Sequence, residues 1–424
     1  MGKLDGIWVL FDLDGTLTRS EEGIWNCVKY AADRMGFPVP DAETLRKFIG
    51  PPLLYSFQEY MGMSEEQAWK AQEVYRERYV TEGRYENRVY PGVRNMLRAL
   101  RKAGARMGVV TGKPEASTRA ILDYFGLSKF FERIACATDG HAEKEHLIRQ
   151  ALPEGAENVW MVGDRKFDME GAVKAGVHGL GVTYGYGSAE ELRSSGAQEV
   201  AETPWGVAEI LCPGAEKPAG AFLSMEGLDG SGKGTQLERL TDALDRYGFE
   251  VKLSREPGGS PIGEKIRQIL LDRENAEMTA ETEALLYAAA RAQHVREVIR
   301  PAVAEGKVLL CDRFVDSSIA YQGGGRQLGV QRVLDINAPA VDGTLPDVTV
   351  LLRLDHRTSL ARRAAASALD RMEMETEAFF ARVEAAYDEM AARQPERFVV
   401  VDADRPPEVI AEEVLARVLE KLTM

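Results

Sequence analysis

AFLSMEGLDGSGKGTQ, residues 221–236, decides the fold of the second half of the chain. A short, nearly continuous apolar burst runs into Gly227, Gly230 and Gly232, then Lys233, and a helical pattern follows over 234–247. Glycines let backbone N–H groups close around phosphate oxygens, the helix N-terminus adds its dipole, and the lysine neutralises charge on the outer phosphates. Gly227, Leu228, Asp229, Gly230, Ser231, Gly232, Lys233, Gly234 and Thr235 are therefore the candidate cradle for a nucleoside triphosphate. One position departs from the usual pattern: Gly234 stands where Ser or Thr normally meets Mg²⁺. Metal contact is then expected through water or other carboxylates, with Thr235 left as a phosphate contact.

Outward from this stretch the same rhythm repeats. Strands are expected at 250–255, 307–312, 348–354 and 397–402, and in the first half at 7–12, 105–111, 158–164 and 179–183. Helix-length segments such as 114–125, 234–247 and 377–393 separate them. Apolar strands alternating with helices indicate parallel sheets covered on both faces, so the expected class is α/β with two doubly wound domains. The first is a Rossmann-like core carrying an inserted helical cap at about 17–88, with helical periodicity in 22–35, 42–49 and 64–81. CPGAEKPAG (212–220) has no periodicity and reads as a linker, which divides the chain into 1–212, a connector at 213–220, and 221–424.

The total of 424 residues suits two or three folded units. Apolar residues form 45% of the chain and charged ones 28%, which excludes wholesale disorder. The net charge of −14 is shared by both halves and is the wrong sign for a nucleic-acid surface, so small phosphate esters held in local pockets are the expected ligands. No run of 18 apolar residues suggests a membrane span, and the N-terminus does not read as a signal peptide. Cys27, Cys136, Cys212 and Cys311 are widely spaced and suggest neither a disulfide frame nor a zinc site, which fits the cytoplasm.

The first strand ends in Asp12-Leu13-Asp14-Gly15-Thr16, and a period of two would turn both carboxylates to one site. Paired carboxylates repel unless a cation or proton intervenes, so this pair suits a Mg²⁺ site or acid/base chemistry. Later strands end in Thr111-Gly112-Lys113 and in Gly163-Asp164-Arg165-Lys166-Phe167-Asp168, delivering polar groups to the carboxyl edge where such sheets bind ligands. Over roughly residues 5–212 this set resembles the haloacid-dehalogenase-type phosphatases.

That resemblance implies Asp12 as the nucleophile, forming an aspartyl phosphate, and Asp14 as the general acid and base. It implies Mg²⁺ held by Asp12, the backbone carbonyl of Asp14 and Asp164, with Asp168 as a further or indirect ligand, and Thr111 as a donor to a phosphoryl oxygen. Lys144 is the favoured cation and Lys113 the alternative. The cap, which sets specificity in such enzymes, offers Trp25, Tyr30, Tyr55, Phe57, Tyr60 and Trp69, most of them as core. The stretch from Gly163 to Ala197 looks like the phosphoglycolate phosphatase-like subgroup, some members of which are nucleotidases, so phosphoglycolate and nucleoside monophosphates are both candidate substrates.

In the second half, Arg255-Glu256-Pro257-Gly258-Gly259, LLYAAARAQHV (285–295) and Asp312-Arg313-Phe314 through Tyr321-Gln322 follow in order. Together with 222–236 they resemble bacterial thymidylate kinases over nearly all of 219–424. The resemblance implies that Arg255 and Arg313 grip the dTMP phosphate, Tyr287 stacks on thymine, and Arg291, Ser317 and Gln322 reach its polar edge. Asp229 is expected at the sugar 3′-hydroxyl and the metal, Tyr321 at the 2′ position, and Asp312 as an indirect Mg²⁺ carboxylate. The phosphate loop lacks an interior Arg, so transition-state charge is expected from a lid at about 360–373, through Arg362, Arg363 or Arg371.

The combined expectation is a bifunctional, Mg²⁺-dependent enzyme acting on ATP, dTMP and a second phosphomonoester. It is expected to be a homodimer through the kinase half, as such kinases commonly are. The alternative is a kinase whose first half has become a silent docking or regulatory module; the presence of Asp12, Asp14, Thr111 and Asp164 argues against that.

Overall fold

A computed structural model describes residues 4–138, 143–364 and 371–423. The chain divides into two compact units, Met1–Lys217 with Arg246–Gly248, and Pro218–Asp245 with Phe249–Met424.

In the first unit, β1 (Ile7–Phe11) is followed by a short antiparallel ribbon of β2 (Thr18–Arg19) and β3 (Arg88–Val89), then β4 (Arg106–Pro114), β5 (Arg133–Ala137), β6 (Asn158–Gly163), β7 (His178–Val182) and β8 (Glu199–Ala201). The main sheet runs β5-β4-β1-β6-β7-β8 with every neighbour parallel. Its order reverses at β1, the place where such sheets open a crevice at the carboxyl edge. Successive residues of β1 feed opposite faces: Val9 and Phe11 join one core with Val109 and Val162, while Trp8 and Leu10 join another with Val110 and Met161. Each fully buried side chain of this kind contributes roughly 1.5–3 kcal/mol, which fixes the register and so the heights at which Asp12, Thr111 and Asp164 leave the sheet.

Between β2 and β3 the chain builds the cap. Helices Glu21–Arg34, Ala42–Arg46, Leu53–Met61 and Glu65–Arg78 enclose their own core of Ile24, Val28, Phe48, Phe57 and Tyr75. The Asp41 side chain caps the second of these helices and a Ser64–Gln67 capping box starts the fourth. The fourth helix runs on into a π-helical turn, Tyr79–Gly83. The helix at Leu53–Met61 and the edge strands β5 and β8 were not foreseen. The first lies in an aromatic run with little charge alternation, and the other two are short and partly polar.

The second unit has five parallel strands, β9 (Ala221–Glu226), β10 (Val251–Arg255), β11 (Val308–Asp312), β12 (Val348–Arg353) and β13 (Phe398–Asp402), in the order β10-β11-β9-β12-β13. Phe222, Leu309, Cys311 and Leu351 face one core; Leu223, Met225, Leu310, Val350 and Leu352 face the other. Helix Lys233–Arg246 starts at the end of the loop that follows β9. Of the expected lid, residues 365–370 lie outside the described residues, as does the side chain of Arg363. No helix among the described residues is long and apolar enough to cross a membrane.

Candidate active sites

β1 stops at Phe11, so strand alternation is not what arranges the first acidic pair. Asp12 continues the ladder by donating its N–H to Val162 O, while Asp14 lies in the following turn, bridged to Thr18. Asp12 and Asp164 at the ends of β1 and β6 converge with Asp168 in the first turn of helix Lys166–Ala175, their carboxylate oxygens all within 4.8 Å of one another. Gly15, at φ +87°, gives room for this: a Cβ there would run into the Asp164 carboxylate. Asp164 accepts from Tyr186 N at 2.8 Å, and Asp168 accepts from Arg165 N at 3.1 Å.

Lys144 Nζ pairs with Asp12 at 2.7 Å and Asp168 at 2.8 Å, and donates to Val110 O at 3.0 Å. Lys113 goes elsewhere, pairing with Asp14 Oδ2 at 2.8 Å and donating to Tyr79 OH at 2.7 Å. Both lysines that the sequence left in competition thus reach the site, each on a different aspartate. Thr111 is buried, and its hydroxyl accepts from Lys113 N at 3.2 Å.

Burial pushes the Asp12 carboxyl up to about 7, Lys144 pulls against it, and Asp168 adds repulsion. Asp164 is driven well above the carboxylate range by burial and then by Asp168 and Asp12. Burial also works against charge on Lys144, but Asp12 and Asp168 outweigh it and hold the ammonium charged. Three acids therefore lie together, and the one lysine pairs with two of them. An all-oxygen donor set with uncompensated negative charge fits a hard divalent cation such as Mg²⁺. The carboxylate of Asp14 stands outside this trio on Lys113, so only its backbone carbonyl remains as a possible ligand. Its Oδ1 is buried and has no partner.

Among the cap aromatics, Tyr55 and Trp69 are about half exposed and Phe57 is core. The aromatic that reaches the site is Tyr79, which no local pattern distinguishes from its neighbours.

In the second unit Lys233 Nζ folds back on its loop, donating to Gly227 O at 3.1 Å and Leu228 O at 3.0 Å, and meets Asp229 Oδ1 at 3.5 Å. Gly227 has φ +139°, and a Cβ there would strike Leu352 O. Arg313 donates to Asp229 Oδ1 at 2.6 Å, its guanidinium lies 5.1 Å from the Tyr321 ring, and Tyr321 OH donates to Asp229 Oδ2 at 3.4 Å. Burial acts to raise Asp229, but Arg313 and Lys233 overcome it and hold the carboxyl well below its ordinary range. Lys233 is lowered by burial and by the like charge of Arg313. Ser231 Oγ and Asp312 Oδ1 are buried without partners among the described residues, oxygen atoms that suit a hydrated cation and its phosphates.

Arg255 is exposed at the end of β10, pairing with Glu264 at 3.0 Å, and Tyr287 is half-buried on helix Ala280–His294. Arg291 is fully buried, held by Glu256 at 2.8 Å, Ser318 at 3.1 Å and Asn337, with Phe314 beneath it; only Nε is unpartnered. Three of the expected residues are engaged within the protein. Ser317 donates to Glu226 at 2.6 Å and accepts from Arg313, the turn after β11 directing it under that arginine. Gln322 gives its amide N–H to buried Glu283 at 2.9 Å, so that donor is spent on the protein. Arg371 is buried against Glu283 at 2.7 Å, giving that acid a counter-charge, and donates to Leu270 O at 2.8 Å. Arg362 pairs with Asp404 at 2.7 Å on the surface.

Sequence reasoning missed the buried acids Glu226, Glu256 and Glu283. Glu226 accepts from Phe314 N at 2.7 Å and from Ser317 and Tyr387, and is pushed up to about 7 by burial and by Asp316. A charged residue closing the apolar run of β9 was the available signal.

The pattern of the family described as thymidylate kinase matches residues 225–414, and that of haloacid dehalogenase-like hydrolase matches residues 9–182. A thymidylate kinase of Limosilactobacillus fermentum is 48% identical over 205 residues, covering 48% of this chain and 92% of the relative. Another, of Clavibacter sepedonicus, is 49% identical over 199 residues, covering 47% of this chain and 94% of the relative. Among solved structures, a putative phosphatase from Clostridium difficile is 39% identical, covering 49% of this chain and 99% of that one at TM-score 0.46. The chain is thus a fusion of a haloacid-dehalogenase-like hydrolase unit with a thymidylate kinase unit, and through its second half it belongs to the thymidylate kinase family.

Proposed function

We propose that the first unit hydrolyses a phosphomonoester through an aspartyl phosphate and that the second transfers the γ-phosphoryl group of ATP to dTMP. The observation carrying the first reading is the convergence of Asp12, Asp164 and Asp168, with Lys144 paired to Asp12 and Asp168. A bound Mg²⁺, held by Asp12, Asp164 and the Asp14 carbonyl with Asp168 behind, would supply charge neutralisation that lets a carboxylate approach a phosphate dianion. Asp12 attacks phosphorus, the ester P–O bond breaks, and Asp14 gives its proton to the departing alkoxide. Asp14 then takes a proton from the water that attacks the same phosphorus, freeing Asp12 and phosphate. Lys144 favours the ionised form of Asp12 against burial and aims it, and Thr111 donates to a phosphoryl oxygen. Fusion to a nucleotide kinase favours a surplus or non-standard nucleoside monophosphate over phosphoglycolate, since hydrolysis of dTMP itself would cancel the second unit's work. Screening the full chain and Asp12→Asn against both substrate classes with Mg²⁺ tests this. Phosphoglycolate turnover with none on any nucleoside monophosphate overturns the assignment, and no release from any ester leaves the docking role.

For the second unit the carrying observation is the cluster Lys233–Asp229–Arg313–Tyr321 beside the glycine loop. The loop N–H groups and Lys233 hold the triphosphate; a bound Mg²⁺ would supply further charge near the moving group, with Asp312 as the carboxylate that would hold it indirectly. Arg313 and Arg255 grip the acceptor phosphate, Asp229 and Tyr321 read the deoxyribose, Tyr287 stacks on the base, and the Nε of Arg291 is the donor left for its edge. Arg362, freed from Asp404, is the lid cation this reading retains. Coupled-assay rates with dTMP against dUMP, dCMP and dAMP test the acceptor; preference for another base overturns it. A dimer through this unit belongs to the same reading, supported by half-exposed Ile262, Ile269 and Leu285 on neighbouring helices, and sedimentation velocity of the full chain checks it.

A further inference from the structure

Tyr79 belongs to the cap, yet its hydroxyl lies 2.7 Å from Lys113 Nζ, on the core sheet. It opens the π-helical turn Tyr79–Gly83, a wound-open backbone of the kind often found at functional sites. Its ring is 6% exposed and stacks on Tyr75 with centroids 5.4 Å apart, so the hydroxyl is held by cap packing and not by a loose side chain. Lys113 spends one N–H on Tyr79 and another on Asp14 Oδ2 at 2.8 Å, and the lysine itself is almost wholly enclosed. With Oδ2 committed, Asp14 is left with a buried Oδ1 that has no partner among the described residues.

We infer that Tyr79 is a positioning residue of the phosphatase site: from the cap it steers Lys113, which grips Asp14 Oδ2 and leaves Oδ1 as the oxygen that hands a proton to the leaving group. Proton delivery is then complete only while the cap holds Tyr79 against Lys113. This rests on the reading of Asp14 as the acid. The proton balance is unchanged: it moves from Asp14 to the alkoxide formed as the P–O bond breaks, and Tyr79 neither gives nor takes it. Burial, opposed by Lys113, holds the Tyr79 phenol above its ordinary range, so the hydroxyl stays intact.

The test compares two probe esters on the full chain with Mg²⁺. 4-Nitrophenyl phosphate has a leaving group that needs little protonation, whereas β-glycerol phosphate releases an alkoxide that needs it fully. For Tyr79→Phe, kcat on β-glycerol phosphate falls about tenfold with KM within about twofold, while kcat on 4-nitrophenyl phosphate stays within about twofold. Lys113→Met, which removes the other end of the link, shows the same asymmetry, and Tyr75→Phe, which keeps the ring stack, does not. Equal losses on both esters indicate damage to the fold alone and overturn the inference, as does no loss on either. Asp14→Asn separates the two levels: if it still hydrolyses β-glycerol phosphate at the original rate, the acid assignment itself fails. If it is inactive while Tyr79→Phe is unaffected, only the positioning role fails. No hydrolysis of either ester by the unaltered chain overturns both.

Discussion

The two sites balance charge in opposite directions. In the first unit Lys144 is outnumbered by Asp12, Asp164 and Asp168, and burial lifts Asp12 to about 7. In the second, Asp229 is outnumbered by Lys233 and Arg313, and its carboxyl is held far down. One pocket lacks positive charge and the other has an excess of it. The difference follows from what each is proposed to take in: the first a metal cation that lets an aspartate meet a phosphate, the second the phosphates themselves. Similar α/β sheets, both ending polar residues at the carboxyl edge, thus serve opposite electrostatic tasks.

The largest expected effects come from breaking each balance at its centre. Asp12→Asn removes the nucleophile, so phosphomonoester release falls by about 10³-fold or more while dTMP phosphorylation by the same chain stays within twofold. Lys233→Met has the reverse pattern, with kinase kcat lower by about 10²–10³-fold and ester hydrolysis unchanged. Measuring both activities on each variant sharpens the comparison; loss of both from either substitution breaks it.

Next comes Glu226, the acid that fixes the Arg313 turn through Phe314 N and Ser317. Glu226→Gln keeps the shape but weakens that hold, so KM for dTMP rises about three- to tenfold with a smaller change in KM for ATP. An equal rise for both substrates contradicts a role confined to the acceptor side.

Arg371→Ala is expected to act on stability more than on turnover. It leaves Glu283, which is fully buried, with Arg326 as its only cationic partner among the described contacts. Breaking a buried pair costs about 3–5 kcal/mol when nothing replaces it, and the remaining arginine brings the expectation down to about 1–3 kcal/mol. Denaturant unfolding of the variant reads this directly; an unaltered midpoint with a large loss of kcat returns Arg371 to the lid.

Both glycine-bounded motifs could be read because their chemistry is local: Asp12 to Thr16 and Gly227 to Lys233 are contiguous in the chain, and strand ends bring Asp164 and Asp312 to them by topology alone. Lys144 was legible as one of two candidates, and it took coordinates to find that Lys113 serves Asp14 while Lys144 serves Asp12. Ser317 and Ser318 differ by one position, and the positive φ of Arg313 decides which of them lies under the arginine. No periodicity encodes that turn. Tyr79, Glu256 and Glu283 escaped for a different reason. Each owes its importance to a partner more than twenty residues away, and neither a tyrosine or glutamate in a helical pattern, as Tyr79 and Glu283 are, nor a glutamate in a turn, as Glu256 is, gives a sign of burial.

The smallest expected effect is a pH dependence that separates the two balances. An acid whose folded value is raised binds its proton more tightly in the folded state, so it costs stability as pH rises from its ordinary value of 3.8 through about 7, the Asp12 case. Asp229 is lowered, so it adds stability at all pH above 3.8 and loses it only below that, as pH falls toward its folded value. Between pH 5.5 and 8 the first unit should therefore weaken in the absence of divalent cation; Glu226, raised to about 7, gives the second unit a similar slope, so the response to Mg²⁺ is what separates the two. Mg²⁺ binds the ionised trio and offsets the cost, so the rise in unfolding temperature on adding 5 mM-scale Mg²⁺, roughly a few degrees, should be larger at pH 8 than at pH 5.5. Asp12→Asn should flatten that difference, and Asp229→Asn should leave it intact. A Mg²⁺ shift equal at the two pH values would mean that the trio is already ionised without metal, and the contrast between a cation-hungry and an anion-hungry pocket would lose its first half.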